Sequence, residues 1–328
     1  MKKHLIELAL CLCCLITFVG CAANSGASEE AGASSNAGTA SAATKIVVGT
    51  LATEDILPCW VAQEEGLFAN ENLDAEIAVF QSASELIAAV SSGSVDFAMT
   101  DPMVTASLYA SGADVQIRWV TLGADASQGR FGIMTADPDI KSLTDLAGVP
   151  VGVGSNTILE YVMDTLFERV GVTADQVKTE ELQKLPVRYQ AMAAGTVKAA
   201  ALPASLLALG EASGFTVVAD DTTGGNISQS VMISCKNAIS TDTVNAFARA
   251  WDAAVAHINA NPDSYRALLA QKASLPESIA QTYAVSSYPA AELPEQHMID
   301  AVLTWMANKG YLATSISYDA ETGCFQGR

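Results

Sequence analysis

Cationic side chains are scarce in this chain. Its 17 Lys and Arg stand against 36 Asp and Glu, a formal charge of −19 over 328 residues. With no basic stripe to release counterions from phosphate, nucleic-acid binding is excluded. An anionic ligand is not, because one helix N-terminus or one Arg in a cleft can outweigh a distant field. Histidine is nearly absent. His4, His257 and His297 stand singly, so no His-based metal or catalytic site is visible and no cofactor is expected. Four of the seven cysteines (Cys11, Cys13, Cys14 and Cys21) crowd the N-terminus, leaving Cys59, Cys235 and Cys324. An odd, widely spaced set is neither a disulfide framework nor a zinc pattern. Buried free thiols are expected, with a single bridge as the alternative. Aromatic residues are only 6% of the chain. The apolar run Leu8–Val19 is shorter than the ~20 residues of a spanning helix.

What is present begins with an export signal. Lys2 and Lys3 precede that short apolar run, and Phe18-Val19-Gly20-Cys21 resembles the lipobox of bacterial lipoproteins. By that resemblance cleavage precedes Cys21, whose thiol takes a lipid. An ordinary signal peptide or an uncleaved anchor is the alternative, and all three place the protein outside the cytoplasm. Ala22–Ala43 holds Ala, Ser, Gly and Asn with Glu29 and Glu30, has no apolar residue larger than Ala, and reads as a flexible tether.

From Ile46 to Asp101 the pattern is strand, helix, strand, helix, strand. Ile46–Gly49, Ala75–Phe80 and Val95–Met99 are the expected strands. Pro58 opens a helix expected to reach Phe68, and Ser82 with Glu85 has capping-box spacing for the next. Asp101-Pro102 starts another. Alternation of this kind predicts a parallel α/β sheet. A second α/β unit, about Asp137–Asp220, is inserted before the chain returns, and the text from Thr241 onwards reads as helical. The predicted architecture is therefore two α/β lobes: residues 45–133 with 230–328 as lobe I, and 134–229 as lobe II. The strands Arg130–Thr135 and Ser230–Ser234 are expected to cross between them as a hinge.

Ligands in such sheets bind beyond the carboxyl ends of the strands. That rule selects Thr53, Glu54, Asp55, Gln81, Ser82, Thr100 and Asp101 in lobe I, and Ser155, Asn156, Thr157, Arg188 and Pro203 in lobe II. The N–H groups at the helix start after Asn156 suit a carboxylate, sulfonate or phosphate. The competing reading is that Asn156 or Thr157 caps its own helix. Arg188 opens a helix against the dipole and needs an anion, from the ligand or from an acid such as Asp221. Asp101 accepts from a ligand N–H or caps the helix at Pro102. Trp60 stacks on a planar ligand or packs in the core.

The order of several motifs carries a family resemblance. Trp60-Val-Ala-Gln-Glu-Glu-Gly-Leu-Phe68, Leu73–Ile77, Gly93-Ser-Val-Asp-Phe97 and Gly112-Ala-Asp-Val115 come first. Ile140-Lys-Ser-Leu-Thr-Asp-Leu-Ala-Gly148, Ala194-Gly-Thr-Val-Lys198 and Ile258-Asn-Ala-Asn-Pro262 follow. Over about Lys45–Leu312 the chain resembles substrate-binding proteins of ABC importers in the nitrate/sulfonate/taurine and thiamine-precursor group. The resemblance implies a type II periplasmic-binding-protein fold that captures a small solute between two lobes. Delivery to a membrane permease with a cytoplasmic ATPase would follow. The residues suit an anionic or zwitterionic solute, with a ring if Trp60 takes part, and a monomeric protein. A related branch makes the thiamine pyrimidine with clustered cysteines and an active-site His. Neither is found here, so an enzyme on the same fold is one alternative, and the binding module of a sensor the other.

Overall fold

The structure is a computed structural model that describes residues 42–235, 239–273 and 275–327. The expected signal segment, Cys21 and all but the last two residues of the tether lie outside the described residues. No helix among the described residues is long and apolar enough to cross a membrane.

The chain runs β1 (Thr44–Leu51), α1 (Leu57–Glu64), α2 (Leu67–Asn70), β2 (Leu73–Phe80), α3 (Ala83–Ser91), β3 (Phe97–Thr100), α4 (Pro102–Ala110) and β4 (Gln116–Leu122). It continues with β5 (Phe131–Thr135), β6 (Pro150–Val153), α5 (Ile158–Arg169), β7 (Lys178–Glu181), α6 (Leu185–Ala193), β8 (Ala199–Pro203), α7 (Ala204–Ala212) and β9 (Thr216–Asp220). After β10 (Ser230–Ser234) come α8 (Thr241–Ala260), α9 (Arg266–Lys272), α10 (Glu277–Ala280), α11 (Gln296–Asn308) and a hairpin of β11 (Ser317–Asp319) and β12 (Cys324–Gln326).

Two five-stranded sheets share one plan. The first has the order β2-β1-β3-β10-β4 and the second β7-β6-β8-β5-β9. In each, the fourth strand is antiparallel to both neighbours, β10 against β3 and β4, β5 against β8 and β9. The sheets are therefore mixed rather than purely parallel, and the two expected crossing strands are sheet members. Their sequences explain this, because Phe131–Thr135 and Ser230–Ser234 are buried at every position and need partners on both edges. The crossings fall instead in the polar stretches 123–130 and 221–229. The first three residues of β5, expected in the first lobe, belong to the second sheet.

Burial separates central from edge strands. β3 and β8 are buried throughout, whereas β7, Lys-Thr-Glu-Glu, is exposed throughout. As an edge strand it is short and charged. The expected helix Pro58–Phe68 breaks at Gly66, which takes φ +70° and divides α1 from α2. The terminal hairpin interrupts the expected helical tail. Among the described residues Cys59 and Cys235 are buried, Cys324 is half-buried, and none of the three is in a disulfide.

Around α8 the first lobe packs large rings. Phe247 meets Phe97 and Trp119 edge-on at 4.7 and 5.1 Å between centroids, and Trp251 lies 5.9 Å from Trp119. Each such buried side chain contributes about 1.5–3 kcal/mol of transfer free energy. This rigid core fixes the ends of β1 and β3, where the cleft begins.

Candidate functional site

The strand ends of the two sheets meet around a partly open cavity of about 70 Å³. At roughly 10–15 Å³ per water-sized atom its inner part takes a group of a few heavy atoms. Leu51 at the end of β1, Thr53 and Asp55 in the turn after it, and Met99, Thr100 and Asp101 at the end of β3 form one wall. Thr157, Ile158 and Leu159 at the start of α5, Gln183, Leu185 and Arg188 around the start of α6, and Pro203 form the other. Ala83, Phe131 and Ser230 complete it. Phe131 and Ser230 were missed by the strand-end rule, which names the last residues of parallel strands. An antiparallel strand brings its first residue to the same edge, and Phe131 pairs with Pro203 while Ser230 pairs with Leu122. The apolar wall residues carried no signal separating them from core.

Asp101 does two things. Its Oδ1 accepts the Val104 N–H at 2.8 Å, capping α4. Its Oδ2 accepts the Ile158 N–H at 3.0 Å, from the first turn of α5 in the opposite lobe. The N-terminus expected to receive a ligand anion thus holds a carboxylate of the protein itself. Thr157, at the cap position, turns its hydroxyl back to the Gly154 carbonyl at 2.7 Å and makes no cap bond. Burial pushes the Asp101 carboxyl up to about 6 against the lowering effect of backbone N–H groups. Nearby, Asn156 Nδ2 donates to Ser107 Oγ at 2.7 Å and Leu185 N–H to the Gln81 carbonyl at 3.3 Å. Lys184 pairs with Glu85 at 2.8 Å. The lobes are closed.

Arg188 is 2% exposed and spends its guanidinium on carbonyls: Leu182 at 2.8 Å, Ala201 at 3.0 Å and Gln183 at 3.3 Å. Burial lowers it to about 10. Asp221, the acid expected beside it, instead accepts the Phe131 N–H at 2.8 Å and the Ser228 hydroxyl. Asp55 is buried, accepts the Ser230 hydroxyl, and is raised by burial. Arg130, just before β5, is held by Asp220 at 2.7 Å and Glu211 at 3.0 Å.

Several expected site residues do not reach the cavity. Glu54 turns away from it and accepts the Tyr283 hydroxyl, while the Tyr288 hydroxyl donates to its carbonyl at 2.9 Å. Burial drives its carboxyl up to about 8. Trp60 is packed in the α8 core, the bland alternative. Ser82 caps α3 through Glu85 N–H at 3.2 Å, and the Glu85 carboxylate accepts the Gln81 N–H, one residue before the cap, at 3.0 Å, so both side chains serve the local helix start and only half of the expected capping box forms. Ser155 is bonded to Glu181, and Asn156, at φ +57°, serves the lobe contact. Among the described residues no group of three or more His, Cys, Asp or Glu could hold a metal ion.

No curated protein matches the sequence. Among solved structures, the alkanesulfonate-binding protein SsuA from Xanthomonas axonopodis pv. citri bound to MOPS aligns with TM-score 0.69 and 16% identity, over 82% of this chain and 94% of that one. The periplasmic aliphatic sulphonate binding protein SsuA from Escherichia coli aligns with TM-score 0.68 and 15% identity, over 87% and 92%. The periplasmic nitrate-binding protein NrtA from Synechocystis PCC 6803 gives 0.69 and 13%, over 83% of each chain. At such identities these establish the periplasmic-binding-protein fold. The family model NMT1/THI5 like matches residues 53–265, well over half of the sequence, and the chain belongs to that family.

Proposed function

We propose that this protein is the solute-binding component of an ABC importer, exported and anchored to the cell membrane through a lipid on Cys21. It captures a small solute between its lobes and passes it to a permease with its ATPase. It acts as a monomer and is not an enzyme. The observation that carries the reading is the cavity at the strand ends, bridged by Asp101 reaching from one lobe to the helix of the other. Family membership and the likeness to sulfonate- and nitrate-binding proteins support it. Residues 1–21 serve as the signal and 22–43 as the tether that lets the folded part reach the permease.

Thermal unfolding of the full-length protein against a panel of small solutes tests this. A ligand at a thousandfold its Kd adds about 4 kcal/mol to the folded state. At roughly 2–4 °C per kcal/mol for chains of 150–250 residues, the shift approaches 10 °C. A shift of that size with one chemical class supports the reading. Turnover of a solute by the purified protein overturns it in favour of an enzyme.

A further inference from the structure

The charges around the cavity are unequal. The first lobe brings two buried carboxylates, Asp55 and Asp101, and the second brings one guanidinium, Arg188. When both acids are ionised they leave one negative charge in a space walled largely by apolar side chains, where a charge is costly unless paired.

Asp101 is committed. Its two oxygens accept backbone N–H groups from two helices, one in each lobe. It fills, from inside the protein, the position a ligand anion would take at the start of α5. A carboxylate or sulfonate arriving there must displace Asp101 and lie beside Asp55. Arg188 offers little relief, because three of its N–H groups are spent on carbonyls. Asp55 makes no contact with the other lobe's helix. It takes the Ser230 and Thr53 hydroxyls and its own backbone N–H, which leaves about one of the four lone-pair sites of an ionised carboxylate for a donor in the cavity.

We propose that the cavity takes a small solute whose recognised group is an ammonium or another N–H donor, received by Asp55, and that Asp101 turns away anionic headgroups by occupying the start of α5. The inference rests on the solute-binding reading above and replaces the anionic part of the earlier expectation. An ammonium balances the remaining charge. A neutral N–H donor is received equally well, and burial favours a proton on Asp55 when no donor is present.

The test uses the full-length protein at pH 7.5 with n-butylamine, propionamide and propionate, matched in size. Thermal unfolding is followed in wild type, Asp55→Asn and Asp101→Ser. The serine keeps a cap for α4 but is too short to reach Ile158. In wild type, n-butylamine or propionamide raises the unfolding temperature by several degrees and propionate does not. Asp55→Asn loses the n-butylamine response. Asp101→Ser gains a propionate response. Greater stabilisation of the wild type by propionate than by the amine or amide overturns the proposal, as does an n-butylamine response unchanged in Asp55→Asn. If all three probes are silent while small-angle scattering shows the lobes closing on a small-molecule cell extract, this inference fails alone. If no solute moves the lobes, the binding function itself fails.

Discussion

The ammonium of Lys309, at the C-cap of α11, lies 2.9 Å from Glu160 and 2.9 Å from Asp164, both on α5. Trp305 Nε1 donates to the same Asp164 at 2.9 Å, and the Tyr311 hydroxyl donates to Glu160 at 2.8 Å. Glu160 in turn accepts the Asn156 N–H at 2.6 Å. One C-terminal element therefore sets the position of α5, the helix whose first turn meets Asp101. Replacing Lys309 by Met removes a partner from the buried Glu160. About 1 kcal/mol of unfolding free energy should be lost in urea titration, because Glu160 keeps the Tyr311 and Asn156 donors but loses its countercharge. A double-mutant cycle with Asp164→Asn should show coupling, since the two share the ion pair.

Acid carboxyls raised by burial give a pH dependence of stated sign. Glu54 goes from 4.5 unfolded to about 8 folded, and Asp101 from 3.8 to about 6. Between these values the folded chain holds more protons than the unfolded chain. The contribution of these two groups is then fully present below about pH 4 and is lost as pH rises, through about 6 for Asp101 and about 8 for Glu54. Denaturant titrations from pH 4 to 9 should show this decline. Glu54→Gln should flatten its upper part, because the amide cannot ionise.

Arg188 should resist conservative replacement. Its planar fork satisfies three carbonyls that approach from β8 and from the segment before α6. A lysine ammonium keeps the charge but cannot span them. Arg188→Lys is expected to cost about 2 kcal/mol, and Arg188→Met at least as much, through carbonyls left without partners. Urea midpoints at constant m-value measure both.

Gly66 ends α1 in the left-handed region at φ +70°, with open space around the position a Cβ would take. Gly66→Ala should therefore cost about 1 kcal/mol from backbone strain alone, with no clash to relieve. The thermal midpoint should drop by a few degrees.

Much of this protein is determined by local order along the chain. Alternating strands and helices define two α/β units, Ser82 caps α3 through Glu85 N–H as its spacing suggests, and Asp101-Pro102 opens α4. The strand-end rule brought Thr53, Asp55, Thr100, Asp101, Thr157, Arg188 and Pro203 to one cavity because a strand's direction fixes its end. Tertiary structure decided the rest. Glu54 and Asp55 are neighbours in sequence, yet one turns to Tyr283 and the other to the cavity, since a tight turn points adjacent side chains apart. Burial on all five residues of β5 and β10 drew both strands into sheets, although in sequence they stand where the chain changes lobes. The hydrogen bond from Ile158 to Asp101 joins residues 57 positions apart. Its acceptor is an ordinary helix cap when read locally, and only the approach of the second lobe gives the carboxylate's other oxygen a donor.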